Sequence, residues 1–126
     1  MATSNLNRDY HEIQSGNDSI VIIKALGDIP GGRTLNVEGF TPSVIKAGHV
    51  IIAKGEDYKP MPVSGAAYGT LPSGYTAVGV SKTTILTKDP RAAIVTIGQV
   101  NEAASPYPVT SAIKTALKNI QFLYGA

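Results

Sequence analysis

With 126 residues, the chain has room for one domain, or for one domain with a flexible arm. Its net charge is +2, and its eleven Lys and Arg residues are scattered, which argues against the basic stripe of a nucleic-acid protein. The absence of cysteine excludes disulfides and thiolate metal sites, and no apolar run approaches the ~20 residues of a membrane-spanning helix.

Met1 to Asp18 is polar, with Ser4, Asn5, Asn7, Ser15, Gly16 and Asn17 and no apolar periodicity. It reads as an arm, 1–18, that orders only against a partner. It lacks the apolar stretch of a secretion signal, so the expectation is a protein made in a cytoplasm, where the acceptor pattern Asn17-Asp18-Ser19 carries no meaning. Residues 19–126 form the expected domain. Ser19 to Leu26 is β-branched and nearly continuously apolar, the pattern of a strand covered on both faces. Gly27-Asp28-Ile29-Pro30-Gly31-Gly32 should stop it. Arg33 to Val37 alternates like a half-buried strand, Phe40 to Ala47 reads as a loop, and His49 to Ala53 as another strand.

Between Lys54 and Tyr75, Gly55, Pro60, Pro62, Gly65, Gly69, Pro72 and Gly74 leave room for one short strand at most, near Tyr58 or Met61–Val63. Ala77–Val80 and Thr83–Leu86 read as short strands. After the Asp89-Pro90-Arg91 turn comes the longest strand of the second half, Ala92 to Val100. One helix is predicted, from Ser111 to Gln121 and about 16 Å long at ~1.5 Å per residue. Thr110 or Ser111 caps it, and Ile113, Ala116, Leu117 and Ile120 make its apolar stripe. Phe122, Leu123 and Tyr124 should anchor the tail. The fold class is therefore mostly β (α+β), a compact barrel-like or sandwich-like domain with one C-terminal helix and a flexible N-terminal arm.

Catalytic patterns are missing. His11 and His49 have no carboxylate or second histidine at metal-ligand spacing. No serine stands in a Gly-x-Ser-x-Gly elbow, and the carboxylates are scattered over loops. Pro30-Gly31-Gly32-Arg33-Thr34 lacks the Lys-Ser/Thr ending of a phosphate loop and precedes a strand, not a helix. The expectation is a non-enzymatic protein with no cofactor and no metal. Tyr58, Tyr68, Tyr75 and Tyr107 all lie in loop regions; together they lean towards a contact surface, because a tyrosine ring buries area while its hydroxyl stays hydrogen-bonded.

From Ile45 onward, about two-thirds of the chain, the order of features resembles the head decoration proteins of lambda-like tailed phages. The resemblance is carried by Lys46-Ala47-Gly48-His49-Val50-Ile51, Tyr58-Lys59-Pro60-Met61, Ala77-Val78-Gly79-Val80, the run from Ala93 to Glu102, and the closing Lys118-Asn119-Ile120-Gln121-Phe122. The first forty residues depart from the pattern, especially Leu26 to Leu35. The resemblance implies a homotrimer on three-fold and quasi-three-fold positions of the outer capsid surface. There it would clamp the major capsid protein of the expanded head, with the N-terminal arm facing the shell. It implies no nucleic acid, no membrane and no catalytic residues. On this basis Arg8, Tyr10, Ile13, Ile20, Val21, Ile22 and Ile23 are the candidate capsid-facing residues. Two other readings stay open: the capsid-anchored base of a head fibre or a glycan-binding adhesin, and a small enzyme or sensor built on a pocket.

Overall fold

The computed structural model describes residues 18–29, 32–40 and 42–124. Their central feature is a six-stranded sheet. Its main path runs β1 (Ile22–Asp28), β11 (Ile94–Asn101), β8 (Thr76–Ser81), β4 (Val50–Lys54) and β5 (Asp57–Pro60), with every neighbour antiparallel. The sixth strand, β12 (Ile120–Leu123), runs parallel to the second half of β11. Three two-stranded ribbons complete the β structure: β2 (Arg33–Thr34) with β10 (Arg91–Ala92), β3 (Val44–Ile45) with β9 (Ile85–Leu86), and β6 (Val63–Ser64) with β7 (Ala67–Tyr68). The molecule is mostly β with one short helix near its C-terminus, and the sheets do not close into a barrel.

Both faces of the sheet are covered, which explains the continuous apolar run of β4. Successive residues of a strand point to opposite faces. Val50 and Ile52 enter one core with Val80, Val95 and Val100, beneath Ile113 of helix α2 (Ser111–Ala116) and Leu117 just past its end. Ile51 enters a second core with Ile94, Leu35, Ile45 and Ala92, beneath the β2–β10 and β3–β9 ribbons. Val50, Ile51 and Ile52 are all fully buried.

The run expected to be a strand from Ser19 begins instead as a single helical turn, α1 (Asp18–Val21), and becomes β1 only at Ile22. Nor is it covered on both faces: Ile23, Lys24, Ala25 and Leu26 are exposed. The difference is one of position. β4 lies inside the sheet, whereas β1 is the edge strand beyond β11. Register shifts between Ile22 and Lys24 and between Ala25 and Asp28 further break its ladder.

Helix α2 is also shorter than expected, ending at Ala116 rather than Gln121. Leu117 leaves helical geometry (φ −101°, ψ 65°), and Ile120 to Leu123 extends alongside β11. Ile120 and Phe122 then reach the core as alternate residues of a strand. The middle of the chain carries three short strands (β5, β6 and β7) where one was expected, because hairpin turns at Gly55 and Gly65, both at positive φ, fold it back on itself. The Phe40–Ala47 loop contains β3, and the strand expected over Arg33–Val37 shrinks to Arg33–Thr34. Leu35 is nonetheless buried, and Asn36 N–H donates to the Tyr58 carbonyl at 2.7 Å beside the other edge strand, β5.

Candidate functional site

Two features of the described residues stand apart from ordinary packing. The first is a set of exposed apolar side chains along the β1 edge. Ile20 is 50% exposed, Ile23 38% and Leu26 63%; Ile97, paired with Gly27 across the β1–β11 ladder, is 44% exposed. Four large apolar side chains on two adjacent segments leave water against hydrocarbon that a partner could cover. Among the described residues no strand pairs with the outer edge of β1.

The candidate capsid-facing residues divide accordingly. Ile20 and Ile23 belong to this set. Val21 does not: it is 4% exposed and sits in the core against Gly48, so it anchors α1 and is unavailable to a partner. Gly48 has φ +90°, and a β-carbon there would run into the Val21 side chain, so the Lys46-Ala47-Gly48 turn and α1 require each other. Ile22 is half-buried and packs on the same core. Arg8, Tyr10 and Ile13, with all of the 1–18 arm except Asp18, lie outside the described residues. Leu26 and Ile97 were missed by the sequence reading. Leu26 closes an apolar run before Gly27, the local pattern of a core residue, and Ile97 has the pattern of any buried strand residue.

The second feature surrounds His49. Its ring is buried and meets the rings of Phe40, Tyr68 and Tyr107 edge-on, at centroid distances of 5.5, 5.3 and 5.5 Å. Nε2 lies 2.9 Å from the Met61 carbonyl. A carbonyl only accepts, so Nε2 carries the proton and Nδ1 presents a lone pair. Burial pushes the His49 pKa down to about 4, against the opposing pull of the Met61 carbonyl, and the ring is neutral at pH 7. The Tyr68 hydroxyl accepts from Val50 N–H at 3.1 Å, and burial holds that phenol well above its usual range.

The four tyrosines expected at a contact surface are mostly used inside the fold. Tyr68 and Tyr75 pack on the first core, and Tyr58 packs on the second beneath the Arg33 guanidinium. The Tyr75 hydroxyl donates to Asp57, which also accepts from Asn36 Nδ2 at 3.4 Å. The Tyr75 bond, with help from Asn36 and the nearby Lys59 and Lys54, holds the Asp57 carboxyl below the usual carboxylate range.

No grouping of three or more His, Asp or Glu side chains capable of holding a metal occurs among the described residues. No helix among them is long and apolar enough to cross a membrane. Compared with family models, curated proteins and solved structures, the chain matches none. The functional reading therefore rests on the residues themselves.

Proposed function

We propose that this chain is a capsid decoration protein: it binds the outer surface of an expanded phage head, as a trimer at three-fold and quasi-three-fold sites, and stabilises the shell. The observation that carries the reading is the set of exposed apolar side chains Ile20, Ile23, Leu26 and Ile97, which begins two residues after the arm that would face the capsid. A decoration protein needs such a surface. Each copy docks on several capsid subunits, and once one contact forms the others become effectively intramolecular, so individually modest apolar contacts suffice. The broken ladder of β1 favours docking through side chains over simple addition of a capsid strand to the edge.

The test is co-sedimentation with heads of the source phage, before and after expansion. The expected result is saturable binding to expanded heads, little to unexpanded ones, and loss of binding when residues 1–17 are deleted. Equal indifference to both kinds of head would overturn the reading.

A further inference from the structure

The geometry points to a small carbohydrate-binding site at His49, taking a single sugar ring. A cavity of about 340 Å³ is lined by Pro42, Ser43, Val44, Lys46, His49, Pro106 and Tyr107. With Nε2 engaged by Met61, Nδ1 makes no hydrogen bond among the described residues. Yet no side-chain nitrogen or oxygen sealed from solvent lacks a partner. Nδ1 therefore keeps a small solvent-facing area, and we place it on this cavity, which His49 lines. A neutral imidazole, 1% exposed and fixed in one tautomer, thus offers a single acceptor from the cavity wall.

The remaining walls narrow the ligand class. A partner for Nδ1 must donate. Lys46 stands at the rim with no ion pair among the described residues, so cationic donors such as lysine or arginine side chains are repelled. The Ser43 hydroxyl, likewise without a hydrogen-bond partner among the described residues, can both donate and accept. Pro42, Pro106 and the Tyr107 ring supply apolar surface. A pyranose meets all of these at once: hydroxyl donors for Nδ1, ring and hydroxyl oxygens for the Lys46 ammonium, and a C–H face for proline and tyrosine. An extended peptide fits less well, because the cavity is built from two short segments, 42–49 and 106–107, and is no long groove. This site shares no lining residue with the exposed side chains of the β1 edge, and its test does not require capsid docking. On the decoration reading, it would give a coated particle a weak, highly multivalent hold on glycan.

The experiment is an NMR titration of the full chain with methyl glycosides of glucose, galactose, mannose, N-acetylglucosamine and glucuronic acid. At least one should saturably shift the Val44, Lys46 and Tyr107 amides and move the His49 Nδ1 resonance, the signature of a new hydrogen bond to that nitrogen. Lys46→Ala and Ser43→Ala both lie on the exposed rim and leave the core intact; combined, they should weaken binding about tenfold, the loss expected for one or two hydrogen bonds. Three results would overturn the proposal: no saturable shift from any glycoside, shifts unchanged in the double variant, or shifts at these residues from a proline-rich peptide alone.

Discussion

An unfolded chain titrates His49 near 6.5, and the fold titrates it near 4. Below pH 6.5 the unfolded state therefore binds the extra proton and the folded state does not. Stability falls as pH drops from 6.5 towards 4 and levels off beneath that. A difference of roughly 2.5 pKa units corresponds to about 3 kcal/mol over the window. Asp57 and Asp89 act elsewhere: their lowered values contribute stability above the unfolded value of 3.8, lost only at lower pH. Urea midpoints measured between pH 7 and pH 4 should decline in the parent chain. In His49→Phe the part of that slope belonging to His49 should vanish, whatever the variant's starting stability. Gly79 and Gly98 have no room for a side chain. A β-carbon at Gly79 would strike the Val95 carbonyl, and one at Gly98 the Lys24 carbonyl, both backbone atoms that cannot swing aside. Gly79→Ala and Gly98→Ala should each cost about 1–3 kcal/mol in chemical denaturation, the usual range for overpacking.

Among the elements, α2 shows how far local pattern carries. Its start was legible, because a hydroxyl before an apolar stripe has one physical use. Thr110 Oγ1 accepts from Ile113 N–H at 3.3 Å, and Thr110→Ala should lower stability by about 1 kcal/mol, read as a drop in thermal midpoint. Its end was not legible. Ile113, Leu117 and Ile120 satisfy a helical period, while Ile120 and Phe122 equally satisfy a strand period, and only the free edge of β11 selects the second. The same limit governs β1 and β4. Ile20–Ile23 and Val50–Ala53 carry nearly the same kind of side chain, but β4 has neighbours on both sides and β1 on one. Which apolar run becomes core and which becomes surface depends on strand order. Strand order is set by contacts far apart in sequence, so no local window contains it. The mostly-β class, the strands β4, β8 and β11 and the cap of α2 were readable. The ring cage of His49 was not, because Phe40, Tyr68 and Tyr107 come from three separate loops or ribbons.

For the whole molecule, the question is whether the β1 surface serves the fold or serves a partner, and two substitutions in one apolar run separate these. Val21 is 4% exposed and packs against Gly48, whereas Leu26 is 63% exposed at the sheet edge. A charge at position 21 would be buried without a counter-ion, so Val21→Lys should destabilise by several kcal/mol or prevent folding. A charge at position 26 stays in water, so Leu26→Lys should change stability by no more than about 0.5 kcal/mol. If the surface is an interface, Leu26→Lys should nonetheless weaken association, because apolar area that a partner covers would now carry a hydrated ammonium. Sedimentation velocity over a range of concentrations, alone and with expanded heads, reads the association. Circular dichroism on the same samples reads the fold. A Leu26→Lys chain that keeps its fold and loses association assigns the surface to a partner. One that keeps both removes the β1 surface from the docking reading and leaves residues 1–17 as the part of that reading still to be mapped.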